Sequence, residues 1–351
     1  MKRITISIVC AGMVMAVSGV MAQSSAPRPA ELREIAKHIF QPIPEQAPAP
    51  RGESITEAHI ELGRKLYFDP RLSRSQSISC NSCHNVGTAG VDNAPKSIGY
   101  GWQLGGRNSP TVFNAVFNSI QFWDGRAPDL KEQAKGPLVN PVEMNSTPEL
   151  VESTLRSIPG YVEAFKHAFP GETQPVTFEN TARAIEAFET TLITPNSRFD
   201  QFLKGSDTAM RPEELQGLSL FIEKGCITCH SGVNLGGQTI FPFGLVNKPD
   251  VKYLPLEDKG RSEVTQNPEE DYFFRVPQLR NVALTAPYFH SGQVWDLKEA
   301  VAVMGNVQLG QTLSEGEVHS IVKFLDTLTG DQPRVVHPIL PPGTISTPRP
   351  H

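Results

Sequence analysis

Apolar positions recur at helical spacing in several stretches of the chain. In Glu213–Lys224, Leu215, Leu218, Phe221 and Ile222 fall on one face, and Gly225 follows as a stop. Upstream, Ser54 and Glu57 read as a capping box ahead of Ile60, Leu66 and Tyr67. Thr177–Leu192 carries Ala182, Ile185, Phe188 and Leu192, with Pro195 marking a linker beyond it. Ser314 and Glu317 cap a last helix with the face Val318, Ile321, Val322, Leu325 and Leu328, and Gly330 is expected to stop it. Between these stretches 30 prolines and 28 glycines predict many turns and few long regular elements.

The chain has 351 residues, room for about two domains. With 39% hydrophobic and 20% charged residues it can bury real cores. The net charge of -5 argues against a nucleic-acid partner, because neutralising phosphate needs a basic surface. Lys2 and Arg3 precede an apolar stretch from Ile4 to Val20 that ends Val20-Met21-Ala22. This pattern predicts an export signal cleaved between Ala22 and Gln23, too short and too interrupted to be a good membrane span. Losing Lys2 and Arg3 takes the net charge from -5 to about -7.

Cys10 lies in that signal. The other four cysteines form Cys80-Asn81-Ser82-Cys83-His84 and Cys226-Ile227-Thr228-Cys229-His230. C-x-x-C-H is the pattern of c-type haem attachment. Two thiols one helical turn apart reach the two vinyl groups on one porphyrin edge, and the adjacent His brings an imidazole to the iron. A zinc site would want four soft ligands where each cluster offers three. Redox dithiols rarely carry His directly after the second Cys in both copies.

The chain also repeats beyond the cysteines. Pro110-Thr111-Val112-Phe113-Asn114 matches Pro277-Gln278-Leu279-Arg280-Asn281, Gly125 matches Gly292, and Asp129-Leu130-Lys131-Glu132 matches Asp296-Leu297-Lys298-Glu299. Every pair is 167 positions apart, against 146 for the cysteines, so the second half carries 21 extra residues. The expected fold class is mainly α: two tandem cytochrome c-like domains with much irregular loop structure. The expected boundaries are 1–22 for the signal, 23–194 and 195–331 for the domains, and 332–351 for a Pro-rich tail. The Pro-rich ends, Gln41–Pro50 and Pro338–Pro350, read as extended arms, packed over the surface or loose. In this register Trp123 aligns with His290. The second half places Met304 after the repeat, where a thioether opposite His would fill the iron's sixth site and raise its potential. After its repeat block the first half has no Met until Met144.

The strings SCNSCHNVGTAGVD (Ser79–Asp92), NSPTVFNAVFN, FWDGRAP, NPVEM, RVPQLRN and PYFHSG, in this order, resemble the motifs of the bacterial di-haem cytochrome c peroxidases. The resemblance covers Leu62 to Leu328. It implies a low-potential peroxidatic haem on Cys80, Cys83 and His84. It implies a high-potential electron-accepting haem on Cys226, Cys229, His230 and Met304. Hydrogen peroxide would be reduced to water in the periplasm. Electrons would come from a small exported cytochrome c or cupredoxin, steered by the acidic balance. The resemblance further implies Glu143 as distal acid/base, Gln133 beside it, Trp123 between the haems, calcium held by Asn108 and the carbonyls of Thr285 and Pro287, and a homodimer.

One position departs from the family. Where many members carry a His that caps the peroxidatic iron at rest, this chain has Tyr100. The resting iron is then expected to be open or phenolate-bound, and the reductive gate weakened. Alternatively Tyr100 packs on the loop surface and another His supplies the cap. Two other functions fit the paired haem motifs: a di-haem oxidase that modifies a partner protein, and a non-catalytic di-haem electron carrier. Met304 argues against the first, and Glu143 within NPVEM against the second.

Overall fold

The computed structural model describes residues 28–50 and 54–350. The predicted signal, its cleavage point and Cys10 lie outside the described residues. The chain is mainly helical, and its helices build two cores from the same plan. In the first, Glu57–Phe68 packs across Phe178–Glu189, burying Leu62, Leu66, Tyr67, Ile185 and Phe188. In the second, Pro212–Glu223 packs across Glu315–Asp326, burying Leu218, Phe221, Ile321, Phe324 and Leu325. Each crossing needs a glycine. A Cβ on Gly63 would lie 1.8 Å from the Ala184 carbonyl oxygen, and one on Gly217 would lie 1.9 Å from that of Ser320.

The repeat in the sequence is a repeat in space. Asn114 and Asn281 both adopt left-handed backbone (φ 60° and 61°) before a short 3-10 turn. Phe122 and Phe289 (φ 66° and 68°) and Gly125 and Gly292 (φ 68° and 63°) match in the same way. The bridges Gln121–Ala127 and Tyr288–Val294 sit at equivalent places. Asp129 and Asp296 then cap Leu130–Val139 and Leu297–Leu309, their side chains accepting from the amides of Glu132 and Lys298. A short polar side chain tolerates the left-handed region and bonds locally, which is why Asn and Asp hold these positions.

Most of the extra length of the second half lies between Gly236 and Arg275. It forms an antiparallel pair, Ile240–Pro242 with Phe273–Arg275, and a third cluster of Trp123, Phe243, Leu254, Phe274 and Val307.

The ends of the chain cross over. Helix Pro29–Ile39 sends Leu32 and Ala36 into the second core, and Phe40 follows them. The segment beyond residue 331 returns to the first domain: Phe68 meets the His337 ring at 4.3 Å, Arg71 donates to the Pro341 carbonyl at 2.9 Å, and Gln76 to that of Pro348 at 2.7 Å. By packing, then, residues 29–40 sit with the second core although they precede the first in sequence.

Two expected helix ends move. The helix at 57 is capped by Thr56, not Ser54: Thr56 Oγ1 accepts from the His59 amide, and His59 Nδ1 accepts from the Thr56 amide at 3.1 Å. Ser54 lies two residues too early to reach that turn. The last helix ends at Asp326. Gly330 lies beyond it and is small for another reason, since a Cβ there would meet the Thr194 carbonyl oxygen at 2.0 Å. The Ser314–Glu317 box is present, with the Ser314 amide donating to Glu317 Oε2 at 2.8 Å.

Candidate functional site

Each C-x-x-C-H motif opens on a cavity. Cys80, Cys83 and His84 line one of about 530 Å³, and Cys226, Cys229 and His230 line another of about 220 Å³. The two imidazoles are held alike. His84 Nδ1 donates to the Pro110 carbonyl and His230 Nδ1 to the Leu235 carbonyl, both at 2.9 Å. Because the partner is a carbonyl, Nδ1 must carry the proton, and the Nε2 lone pair is left for a metal. Burial lowers the proton affinity of both rings and keeps them neutral, the form that ligates. These residues fit covalent haem on each motif.

The second cavity also contains Met304, from helix Leu297–Leu309. A His on one wall and a thioether on another suit a six-coordinate iron. Met144 is 3% exposed and packed in the first core, yet it too lines the first cavity. Its wall carries Glu143 and Gln133. Glu143 sits in the turn after Leu130–Val139, and the Asn140 side chain donates to its Oε1 at 2.8 Å. Burial raises the carboxyl above its ordinary value, opposed by the charge of Arg126 and by the Asn140 hydrogen bond. That moves a carboxyl toward the range of a proton donor and acceptor. Met144, next in sequence, is buried in the first core, and its amide bonds the Pro137 carbonyl.

Trp123 lines both cavities. It is buried, its indole nitrogen donates to the Asn108 carbonyl at 2.8 Å, and its ring lies 6.1 Å from that of His290. His290 is itself stacked on Phe274 at 4.0 Å.

Asn108, Thr285 and Pro287 line the second cavity together. Asn108 Nδ2 is committed to the Ala94 carbonyl at 2.9 Å, which turns Oδ1 elsewhere as an acceptor. Neutral oxygens of this kind suit a hard cation such as calcium. Among the described residues there is no cluster of three His, Cys, Asp or Glu that could hold a metal.

Tyr100 lies in a 3-10 turn of the loop 97–105, beside exposed Ile98, Trp102 and Leu104. Its amide donates to the Glu143 carbonyl at 2.7 Å, but Tyr100 does not line the first cavity, whereas Gly99 does. Motif reading did not single out Arg275. It is 3% exposed, lines both cavities, and leaves Nη1 without a hydrogen-bond partner while Nε donates to the Phe122 carbonyl at 3.1 Å. A buried guanidinium with an open donor is suited to a carboxylate on a cofactor edge. Its place in RVPQLRN was visible in the sequence; its open donor was not.

A model of the family described as di-haem cytochrome c peroxidase matches residues 57–208. A cytochrome c551 peroxidase of Pseudomonas aeruginosa is 61% identical over 319 residues, covering 91% of this chain and 92% of that protein. One from Nitrosomonas europaea is 48% identical over 82% of this chain and 85% of its own length. Among solved structures, a MauG-like protein associated with microbial copper homeostasis superposes with a TM-score of 0.72 at 27% identity, over 82% of this chain and 95% of its own. With these likenesses spanning both haem motifs and both cores, the chain belongs to the di-haem cytochrome c peroxidase family.

Proposed function

We propose that the protein reduces hydrogen peroxide to two waters at the Cys80/Cys83/His84 centre, using electrons received at the Cys226/Cys229/His230/Met304 centre. The observation that carries this is the asymmetry of the cavities: Glu143 and Gln133 line the first and not the second, whose wall carries Met304, while the first cavity's Met144 is packed in the first core. Haem in the first cavity would supply the iron that takes peroxide and passes it electrons. The protein groups do the rest. Glu143, its carboxyl raised by burial, takes the proton from the nearer peroxide oxygen and returns it to the leaving oxygen, so that water and not hydroxide departs. Asn140 orients Glu143, and Gln133 offers an amide beside it. Trp123, packed against both cavities, provides the route between the centres. Arg275 would hold a propionate of either haem.

The reading extends to calcium on Asn108 Oδ1 and the Thr285 and Pro287 carbonyls, which would tie the first domain's 108 segment to the second's 285–287 turn. It extends to a periplasmic location, to a small cytochrome c or cupredoxin as donor, and to a homodimer. Among the described residues no helix is long and apolar enough to cross a membrane. Because Tyr100 lies outside the cavity lining, the resting first centre is read as open. Met304 within the second cavity disfavours the protein-modifying oxidase, and Glu143 within the first disfavours a plain carrier.

The test is peroxide-dependent oxidation of a reduced small cytochrome c, started with fully oxidised, haem-loaded protein. Immediate turnover is expected. A lag removed by pre-reducing the Met304 centre would keep the peroxidase and overturn the open resting site. Silence in both states would overturn the peroxidase.

A further inference from the structure

One buried acid on the first cavity has no role in the chemistry described so far. Glu189 is the last residue of Phe178–Glu189, is 5% exposed, and its Oε2 has no hydrogen-bond partner. It lines the same cavity as Cys80, His84 and Glu143. An unpaired charge buried there is costly, so the group sits close to the balance between acid and anion.

Its surroundings favour the acid. Glu186, one turn earlier on the same helix, adds a second carboxyl, and burial with this neighbour pushes Glu189 up to about 8. Tyr67 from Glu57–Phe68 and Cys80 from the motif helix both feel the Glu189 charge. On Leu130–Val139, Lys131 and Lys135 turn to Glu179 and Glu132 and do not pair with Glu189. The cavity wall also carries Glu143, Arg126 and Arg275.

We propose that Glu189 is the redox-linked protonation site of the first haem: where Glu189 is ionised in the oxidised protein, an electron reaching that haem draws one proton from solvent to the Glu189 carboxylate, and both leave together. An electron added to a low-dielectric cavity raises the proton affinity of a carboxylate on its wall, and by reciprocity the proton raises the electron affinity of the haem. The pair keeps the cavity's charge constant and stores one of the two protons that peroxide reduction consumes. The inference rests on haem attachment at Cys80 and Cys83 and not on turnover, so its failure and that of the peroxidase reading are separable.

The experiment is an equilibrium redox titration of the full, haem-loaded protein, followed by absorbance at pH values spanning about 6 to 10. In the wild type the midpoint of the first haem should be level at the low-pH end, where Glu189 is already protonated, and fall with pH above about 8, approaching about 59 mV per tenfold change in proton activity. In Glu189→Gln it should be nearly flat, while Glu143→Gln should keep the slope. A flat wild type, an unchanged slope in Glu189→Gln, or a slope abolished by Glu143→Gln would each overturn the assignment. If Glu189→Gln fails to load haem, reduced-minus-oxidised infrared spectra of the wild type and of Glu189→Asp replace it. A protonated-carboxyl band should grow on reduction and shift in the Asp variant. No band, or an unshifted one, would equally overturn the assignment.

Discussion

Asn114 and Asn281, 167 positions apart, converge on one hydroxyl: their Nδ2 groups lie 2.7 and 2.9 Å from Thr194 Oγ1. All three residues are fully buried. They stand where the two repeats face each other, and Thr194 is the last residue before the linker Pro195. The Thr194 amide also donates to Asn114 Oδ1 at 2.8 Å, so the junction is closed by side chains that the duplication supplied twice.

Thr194→Val keeps the shape and removes the shared acceptor. Two buried amide groups lose a partner, at about 1–3 kcal/mol each. The expected result is a lower midpoint in denaturant unfolding of the holoprotein with both haems still attached. An unchanged midpoint would show that the junction is held elsewhere.

The loop bearing Tyr100 is docked on the turn bearing Glu143, through the Tyr100 amide and through Gly99, where a Cβ would lie 2.0 Å from the Val142 carbonyl oxygen. Gly99→Ala must therefore push the loop off that turn. Peroxide turnover should change several-fold while the Met304 centre keeps its reduction potential. Identical turnover would mean that Glu143 is held without the loop.

Glu143→Gln preserves size and the bond from Asn140 but cannot move a proton. Turnover should fall by about 10²- to 10⁴-fold, the usual worth of a positioned acid/base. Stopped-flow peroxide reaction with the pre-reduced enzyme checks this; a drop of less than tenfold would assign the proton to another group.

Burial of Glu189 also makes stability depend on pH. Its folded pKa is about 8, against about 4.3 for an unfolded Glu. Between those values the folded state holds a proton that the unfolded state does not, so stability falls as pH rises and levels off above about 8. Glu189→Gln should remove this part of the decline, and the thermal midpoints of variant and wild type should diverge between about pH 5 and 8. Parallel curves would place the proton elsewhere.

Much of the architecture was legible because its causes are local or periodic. The two C-x-x-C-H motifs, the constant offset of 167 and the Ser314–Glu317 box each need only neighbouring residues or a comparison of two segments. The Thr56 cap was missed by two positions, since Ser, Thr and Glu crowd that stretch and only the backbone geometry selects among them. Gly330 was read as the stop of a helix that ends at Asp326, and its real constraint was not legible, because the Thr194 carbonyl that forbids a side chain is remote in sequence.

The sequence by itself determined the covalent chemistry: which thiols and imidazoles come in pairs, that two units repeat, and that a Met follows the repeat closely in one unit, at Met304, and only at Met144 in the other. Only the tertiary structure decided which polar groups lose their water. The crossing of helix Pro29–Ile39 and the C-terminal segment, the open guanidinium nitrogen of Arg275 and the unpaired carboxyl of Glu189 all arise from segments that meet across long stretches of chain. Desolvation is a property of everything surrounding a group, and that is set by packing, not by the residues next to it in the chain.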